Sequence, residues 1–375
     1  MPEPAEGSVL VLNARPLWVR LLFRELGRFV PTTGVIFRLG ENDPPVTEFE
    51  LPEAPGWSLV PIDFPIRSFG RLAALYSYWV HQRLKKRFGD LGVAVFTQPS
   101  QRCLCRHFAG TRRIYYVADD YRWGYGWYPS TVDSWERTII DNVEHVVCVS
   151  SALAKSMVDR LHIERERVFV SASGMPESLI PDGCSSINKS PQDGILSEKR
   201  PLAGVFGTID TRVRLDWLRG LVDALPWLNL LIVGPTAELS DDQHKDWRYL
   251  VGHARCTIVG RVDYYELFRY ASSVEIGLIP LTNKGINPTS SPTRFYTQLA
   301  FGQPIVASES SLQLQEFEPL VTIAKTLSEF IQKVEELYLV DFDDHLAERR
   351  RVTARHHTWE KRAESFFREL IPQQQ

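Results

Sequence analysis

The chain has 375 residues, of which 44% are hydrophobic and 24% are charged, and its formal net charge is -3. This composition is that of a soluble globular protein and excludes collagen-like, disordered and small disulfide-rich classes, while the length predicts about two domains. With 43 basic and 46 acidic residues, the chain lacks the cationic excess of a protein that coats nucleic acid, so we expect no nucleic acid partner.

Cysteine usage and the N-terminal stretch favour a cytoplasmic protein. The five cysteines are scattered and odd in number, which indicates a reducing compartment rather than a disulfide framework. The opening MPEPAEGS is acidic and contains proline, unlike a signal peptide. No run of about 18 apolar residues is present, which argues against a membrane-spanning helix.

From the first apolar run onward, short β-branched segments alternate with amphipathic stretches, the pattern of βα repeats on a parallel sheet. Strands are predicted in the first half over residues 8–12, 32–37, 57–62, 93–97, 113–118, 145–150 and 167–172. A helix is predicted over 16–29. Residues 1–180 are therefore predicted to form one doubly wound α/β domain.

A polar, turn-rich stretch separates this series from a second one. Residues 181–200 have no apolar periodicity and are predicted to be an interdomain linker. Strands are then predicted over 202–207, 228–234, 256–260, 274–281, 304–308 and 321–324, and helices over 212–225, 292–301 and 357–370. Residues 201–356 are therefore predicted to form a second doubly wound domain.

Three predicted strands of the second half end in glycine, at Gly207, Gly234 and Gly260. In doubly wound sheets, ligands lie outside the carboxyl ends of the strands. A glycine there lets the backbone approach a ligand, and the next helix N-terminus favours an anion such as a diphosphate. The same glycines are also compatible with simple turns.

A Ser/Thr-rich loop, TNKGINPTSS, is the most specific feature of the second half. It leads into a helix that is predicted to begin at Pro292, with Ser291 as its N-cap. The helix N-terminus, the hydroxyls of Ser290 and Ser291, and Arg294 would together hold a phosphate. The alternative interpretation is that Arg294 is a solvated surface residue.

The second half resembles the donor domain of GT-B glycosyltransferases, whose two Rossmann-like domains face a central cleft. The resemblance is carried by LAGVFGTIDTRVRLDWLRGLVDALPWLNLLIVGP, VGRVDYYELFRYASSVEIGLIPL and SPTRFYTQLAFGQPIVAS. The later HHTWEKRAESFF resembles the closing helix of the family, which packs back on the first domain. The resemblance implies an enzyme that moves a sugar from a nucleoside diphosphate donor, with UDP expected, to a hydroxyl of a glycan or glycolipid.

The resemblance also implies a set of donor-binding residues, with Thr297 or Gln298 near the ribose and no metal or cofactor required. These residues are Gly207, Thr208, Arg212, Gly234, Arg261, Val262, Ser290, Ser291, Arg294, Thr297 and Gln298. Many members of the family carry a glutamate where Thr297 stands. Its absence argues against the retaining, glycogen-synthase-like branch and favours inverting bacterial exopolysaccharide enzymes such as the xanthan glucuronosyltransferase, which keep a basic residue where Arg294 stands.

An inverting transfer needs a base that takes the proton of the acceptor hydroxyl. Asp119 and Asp120 follow the predicted strand 113–118, at its carboxyl end. Adjacent carboxylates repel each other, which makes one of them a better base. We expect one of the pair to be the general base and the other to cap the next helix. The pair also resembles acidic residues near this position in inverting relatives.

Aromatic and polar residues at these strand ends form the predicted acceptor site. Aromatic faces are natural platforms for sugar rings, although a packed loop would have the same composition. The acceptor-binding residues are predicted to be Asn13, Arg15, Trp18, Arg122, Trp123 and Tyr125.

The segment 67–113 contains ten basic residues and one acidic residue. Its helical stretch LAALYSYWVHQRLKKRF joins apolar and aromatic residues to a basic end. This pattern suits an anionic membrane surface or a pyrophosphate-linked lipid acceptor, and an ordinary solvated helix is the alternative. It predicts peripheral contact with the inner face of a membrane.

Two rival functions remain open. A retaining transferase on the same fold would need no base from Asp119 or Asp120. The missing glutamate is also compatible with a catalytically inactive glycan-binding or scaffold protein.

Overall fold

The structure is a computed structural model that describes residues 7–38, 43, 51–63, 73–89, 91–181 and 200–371. The chain divides into two compact units, the first formed by Met1–Ser173 and Trp359–Gln375 and the second by Gly174–Thr358. The first unit ends before the boundary expected at residue 180. Most of the predicted linker 181–200 lies outside the described residues.

The first unit is built on a seven-stranded sheet in the order β3-β2-β1-β4-β5-β6-β7, and its paired strands are parallel. The strands are β1 (Val9–Leu12), β2 (Thr32–Arg38), β3 (Trp57–Asp63), β4 (Val93–Phe96), β5 (Arg112–Val117), β6 (His145–Cys148) and β7 (Val168–Val170). The helices between them are α1 (Leu17–Leu26), α2 (Ala73–Phe88), α3 (Arg102–Cys105), α4 (Pro129–Ile140) and α5 (Ser151–Leu161).

The second unit repeats this plan with a six-stranded parallel sheet in the order β10-β9-β8-β11-β12-β13. The strands are β8 (Leu202–Phe206), β9 (Asn229–Val233), β10 (Cys256–Gly260), β11 (Ile276–Ile279), β12 (Ile305–Ser308) and β13 (Thr322–Ala324). The helices are α6 (Leu215–Ala224), α7 (Asp241–Gly252), α8 (Tyr264–Ala271), α9 (Thr293–Leu299), α10 (Leu312–Gln315), α11 (Leu327–Leu339) and α12 (Ala347–His356).

The last helix, α13 (Trp359–Leu370), belongs to the first unit and packs against α1. The ring of Phe366 meets that of Phe23 edge to face, with 5.3 Å between their centroids. Arg112 at the start of β5 donates a 3.2 Å hydrogen bond from Nη1 to the carbonyl oxygen of Leu370. Both contacts lie within the first unit and join its terminal helix to its sheet and its first helix.

The strands form where the sequence has continuous apolar runs, because both faces of a parallel sheet are covered by helices. Every residue of β1, β4, β8 and β11 is buried, for example. The predicted strands and helices are all present, with ends that differ by a few residues, so the predicted doubly wound fold is confirmed. None of the helices within the described ranges is long and apolar enough to cross a membrane.

The strand order places a topological switch point in each sheet, between β1 and β4 in the first and between β8 and β11 in the second. At such a point the connections on the two sides run in opposite directions, which leaves a crevice at the carboxyl ends of the strands. The loops that follow these four strands are therefore the first places to examine for a site.

Candidate active site

In the second unit, the loop after β8 meets the helix that follows β11. Gly207 has a φ of +96°, and a Cβ atom placed on it would lie 3.3 Å from Nη2 of Arg294. The same Nη2 donates to the carbonyl oxygen of Thr208 at 3.3 Å. Three predicted donor-binding residues, Gly207, Thr208 and Arg294, are thus brought together at the switch point.

The guanidinium of Arg294 is half-buried. Its Nη1 atom is buried and has no hydrogen-bond partner in the described part of the chain. Removal from water, together with the charge of Arg212, lowers the pKa of Arg294 to about 10, and Asp210 opposes this shift only in part. A cation in this situation would gain from an added anion, because the anion supplies both an acceptor and a compensating charge.

Arg212, by contrast, already has a carboxylate partner. Its Nε lies 2.9 Å from Oδ2 of Asp210 and its Nη2 lies 2.6 Å from the same oxygen. Asp210 also accepts the backbone N–H of Arg212 at 2.9 Å. Arg212 is therefore close to the predicted donor site, but its charge is largely matched. Asp210 was not among the residues predicted from the sequence, although its position in the loop after β8 could have indicated it.

The Ser/Thr-rich loop is held by its own hydrogen bonds. Buried Asn287 donates from Nδ2 to the carbonyl oxygen of Thr282 at 2.9 Å. The hydroxyl of Ser290 donates to the Asn287 carbonyl oxygen at 2.9 Å, and the Ser290 carbonyl oxygen accepts from the hydroxyl of Ser311 at 2.9 Å. A hydroxyl has one proton to donate, so Ser290 would have to rotate before it could donate to a phosphate. Ser291 is half-buried beside it.

The helix that carries Arg294 begins one residue later than predicted. It begins at Thr293 with Pro292 at the N-cap position, so the predicted N-cap at Ser291 is wrong. Proline lacks a side-chain acceptor, and no side-chain hydrogen bond caps α9. Thr297, one turn along, is only 1% exposed and its hydroxyl donates to the carbonyl oxygen of Thr293 at 3.3 Å.

Gln298 lies inside the second unit. The side chain is fully buried, and a Cβ atom on Gly277 of β11 would lie within 1.8 Å of its Oε1. Neither of its amide atoms has a hydrogen-bond partner among the residues described. The side chain fills the space above a glycine of the sheet, and the placement of Thr297 or Gln298 near the donor ribose stays a prediction.

The remaining donor-site predictions lie on the neighbouring loops. The N–H of Gly234, after β9, donates to the carbonyl oxygen of Gly260, the last residue of β10, at 2.8 Å. Arg261 is exposed and Val262 is half-buried in the loop that follows. Asp263 then accepts the N–H of Tyr265 at 2.8 Å and caps α8. Because β8, β9 and β10 are neighbours in the sheet, the loops that follow β9 and β10 lie next to the loop that contains Gly207.

In the first unit, Asp120 is neutralised by a residue of its own loop. Nε of Arg122 lies 2.8 Å from Oδ1 of Asp120, and Nη2 lies 2.5 Å from Oδ2. The carboxylate is buried, and these hydrogen bonds raise the pKa of Arg122. Asp120 and the predicted acceptor residue Arg122 thus form a two-pronged ion pair that holds the loop after β5.

Asp119 has a different partner. The hydroxyl of Tyr125 donates to Oδ2 of Asp119 at 2.6 Å. The Tyr125 ring is stacked on Trp127, with 5.8 Å between centroids and 20° between planes, and is tilted against Tyr121 at 5.0 Å. The expectation that one aspartate caps the next helix is wrong, because Tyr128 is the N-cap residue of α4.

A chain of hydrogen bonds joins this loop to the switch point of the first sheet. The hydroxyl of Tyr121 donates to the carbonyl oxygen of Thr97, after β4, at 2.5 Å, and the Thr97 hydroxyl donates to the carbonyl oxygen of Leu12 in β1 at 2.7 Å. Burial raises the pKa of Tyr121 well above its ordinary value. Asn13 is buried next to β1 with a left-handed φ of 65°. The sequence missed Tyr121 and Thr97, although Thr97 stands at a strand end.

The predicted acceptor residues differ in how far they are available. Nη2 of Arg15 donates to the carbonyl oxygen of Phe37 at 2.9 Å and to Oδ2 of Asp43 at 2.5 Å, so its side chain is tied to the end of β2. Trp18 is half-buried. Trp123, at 47% exposure, presents the most open aromatic surface of the predicted set.

Comparison with solved structures identifies the architecture. A sucrose-phosphate synthase from Thermosynechococcus elongatus superposes with a TM-score of 0.74 at 16% identity, over 98% of each chain. The Anabaena protein HepE, solved in complex with UDP and glucose, gives a TM-score of 0.73 at 11% identity, over 98% of this chain and 99% of that chain. The two-sheet arrangement is that of the GT-B fold.

Residues 212–368 match the family model described as glycosyl transferase-like. These residues are similar to that family, and the whole chain has a GT-B fold. A Bacillus subtilis protein named as a teichuronic acid biosynthesis glycosyltransferase, TuaH, is 24% identical to this GT-B chain over 232 residues. The matched region covers 61% of the chain and 57% of the relative's length.

Proposed function

We propose that this chain is an inverting glycosyltransferase that moves a sugar from a nucleoside diphosphate donor, UDP-linked, to a hydroxyl of a glycan or glycolipid. The observation that carries the proposal is Arg294, a half-buried arginine at the switch point of the second sheet whose Nη1 has no hydrogen-bond partner in the described residues. The glycosyl transferase-like match over 212–368 and the UDP bound to HepE support the choice of donor.

The donor diphosphate would lie in front of Gly207 and Arg294. A Cβ atom at position 207 would come 3.3 Å from the guanidinium, so glycine leaves that side of Arg294 open to a ligand. As the bond between the sugar and the diphosphate breaks, its electron pair moves onto the phosphate oxygen. Arg294 would stabilise that developing charge, and a charge already in place before the reaction costs little reorganisation.

The acceptor hydroxyl would give its proton to Asp119. Asp120 is the poorer base, since Arg122 engages both of its oxygens. Tyr125 donates to Oδ2 of Asp119 and would keep the carboxylate in one orientation. The acceptor oxygen then forms a bond to the anomeric carbon from the face opposite the leaving diphosphate, and the configuration is inverted.

The proposal includes two further points. The transfer uses no metal ion, since Arg294 is positioned to take over the charge stabilisation that a metal would provide. The acceptor is either a soluble glycan or a glycolipid held at the inner face of a membrane.

One experiment tests the donor, the stereochemistry and the rivals together. The full chain would be incubated with UDP-, GDP- and ADP-linked sugars and a mixed panel of glycan and glycolipid acceptors, with and without EDTA, and the anomeric configuration of any product would be read by NMR. An inverted product from a UDP-sugar in EDTA is expected. A product with retained configuration would instead identify the retaining rival. UDP binding without turnover on any acceptor would favour the inactive glycan-binding rival.

A further inference from the structure

Helix α2 (Ala73–Phe88) presents large apolar side chains to solvent. Leu75 is 69% exposed, Tyr78 is 54% exposed and Trp79 is 38% exposed. They occupy positions i, i+3 and i+4, which share one face of a helix. Three such side chains on adjacent turns are a patch rather than the scattered exposure normal for a soluble surface.

The same face continues into a basic end. Gln82, Arg83 and Lys86 follow at positions i+7, i+8 and i+11 from Leu75, and we call the whole stripe the α2 face. The α2 face consists of Leu75, Tyr78, Trp79, Gln82, Arg83 and Lys86. The opposite side of the helix is buried through Ser77, Val80 and Leu84. One side of the helix therefore packs on the first unit, and the α2 face is exposed to solvent.

The charge of this helix is all of one sign. Its 16 residues include Arg83, Lys85, Lys86 and Arg87 and no acidic residue. Lys85 and Lys86 are both exposed. The guanidinium carbon of Arg83 lies 4.4 Å from the centre of the Trp79 ring, so the apolar and basic halves of the face are in contact. The nearby carboxylate of Asp63 faces Arg38 at 3.4 Å, which offsets its charge.

We propose that the α2 face docks this chain on a lipid bilayer that contains anionic lipids. Trp79, Tyr78 and Leu75 would enter the headgroup region, where amphipathic rings are favoured. The basic end would lie against lipid phosphates, each cation strengthening the attraction. The inference rests on the proposed function in one respect, because a glycolipid acceptor would be held at such a surface.

A bilayer fits these features better than a protein partner. The side chains that would be buried are a tryptophan, a tyrosine and a leucine next to lysines and an arginine, the combination of an interfacial helix. A protein surface would have to supply both an apolar pocket and a cluster of carboxylates in register with the stripe. A bilayer supplies its apolar layer and its anions over any area and in any orientation.

The test is vesicle flotation of the full chain at low salt. Vesicles of phosphatidylcholine alone would be compared with an equimolar mixture of phosphatidylcholine and phosphatidylglycerol. The chain should float with the anionic vesicles and be released as salt screens the charges. The double variant Arg83→Gln/Lys86→Gln, which removes both cations of the α2 face, should bind the anionic vesicles about 25-fold more weakly, at roughly fivefold per charge. The single variant Leu75→Gln should also bind the anionic vesicles more weakly than the wild type, although its charge is unchanged.

A matched control is available on the same unit. Lys155 and Arg165 are exposed and distant in sequence from α2, so Lys155→Gln/Arg165→Gln makes the same change in net charge and should retain vesicle binding within about twofold. Equal losses in the two double variants would overturn the inference, as would equal flotation with neutral and anionic vesicles or none with either. Failure of Leu75→Gln to weaken binding would remove the apolar part of the proposed contact. A self-association lost with the α2 variants, without vesicle binding, would show a protein contact instead.

The outcome is separable from that of the proposed function. Flotation needs no turnover, and the transfer assay can be run on a soluble acceptor without vesicles. A chain that transfers sugar but does not float refutes the docking surface alone. A chain that floats through α2 but transfers nothing refutes the transferase alone.

Discussion

The backbones of Gly234 and Gly207 lie so close together that a Cβ atom on Gly234 would come within 2.1 Å of the Gly207 carbonyl oxygen. The N–H of Gly207 also donates to the carbonyl oxygen of Val233 at 2.9 Å. Since Gly207 lies against Arg294, this contact between the loops after β9 and β8 helps to place the loop at the candidate donor site.

We expect Gly234→Ala to push the two loops apart. The clash is with backbone, which cannot rotate away, so a loss of about 1–3 kcal/mol of unfolding free energy is expected, together with weaker UDP binding. Gly252→Ala is the control, because a Cβ atom there meets nothing within 4 Å and Gly252 ends α7. The control should gain up to about 1 kcal/mol. Urea unfolding and UDP titration measure both quantities, and wild-type behaviour of Gly234→Ala would contradict the geometry.

Arg294→Ala should change ligand binding and folding in different ways. A base whose pKa is lowered on folding costs stability at pH 7, where it is charged in both states. Arg294→Ala removes this cost but also removes the hydrogen bond to Thr208, so the unliganded protein should be about as stable as before. UDP affinity should fall about 10- to 150-fold, from the loss of a charge-assisted contact of roughly 1.5–3 kcal/mol. Thermal unfolding and calorimetric titration give the two values.

Lys284 provides the control for Arg294, since it is an exposed cation of the loop after β11. Lys284→Gln removes one positive charge near the site without removing the half-buried guanidinium. UDP affinity should change by less than about threefold at physiological salt, where exposed charges are screened. Equal losses in the two variants would mean that the general field, rather than Arg294, binds the diphosphate.

Tyr125→Phe should slow turnover while the ring remains in place. The substitution removes the hydroxyl that donates to Asp119 and keeps the stacking on Trp127. If Asp119 must be held in one orientation to accept a proton, kcat should fall about 10- to 100-fold, in proportion to a hydrogen bond to a charged group. UDP affinity should not change, whereas the free energy of unfolding should fall by roughly 1.5–3 kcal/mol, because the buried Asp119 carboxylate loses a donor. Tyr128→Phe, at a side chain that is 80% exposed, should leave kcat unchanged.

The terminal helix should be essential to the first unit. Phe366 is 3% exposed and packs on Phe23, so Phe366→Ala should cost about 3–5 kcal/mol. Phe367→Ala is the matched control, because Phe367 is half-buried and is stacked on Phe29, a side chain that is 42% exposed. Its cost should be clearly smaller. A melting temperature that falls equally in both variants would contradict the packing of α13.

The fold could be predicted from the sequence because parallel strands buried on both faces leave continuous apolar runs. β8 (Leu202–Phe206) reads LAGVF and is buried throughout, so the pattern alone located it. The ends of elements were less certain. The helix with Arg294 begins at Thr293 rather than Pro292, because an N-cap is decided by the backbone angles of the turn, which the residue types only favour.

The site could be predicted only as a set of loops. The strand ends marked Gly207, Asp119 and Asp120, but which side chain partners which depends on rotamers and on contacts between loops distant in sequence. Gln298 follows Thr297 on a short helix, where neighbouring side chains point in different directions. The side chain of Gln298 lies against Gly277 of the sheet. Arg122 pairs with Asp120, two residues before it. The spacing in the sequence would equally allow Arg122 to pair with Asp119.

The roles of the two aspartates are the sharpest prediction. Asp119→Asn should lower transfer about 10²- to 10⁴-fold, the contribution of a general base, while the protein unfolds near the wild-type temperature and binds UDP normally. Asp120→Asn should instead leave Arg122 without its carboxylate and cost roughly 1.5–3 kcal/mol of stability, with turnover reduced far less per folded molecule.

The double variant Asp120→Asn/Arg122→Gln tests the second role, because removing both charges of the pair should recover part of the stability that Asp120→Asn loses. Turnover, melting temperature and UDP affinity would be measured on all three variants. Near-normal turnover in Asp119→Asn would exclude this loop as the source of the base, and the retaining rival would then account better for the fold and the donor site. Loss of turnover in Asp120→Asn at full stability would reverse the assignment, since the ion pair with Arg122 would then be part of the chemistry rather than of the loop.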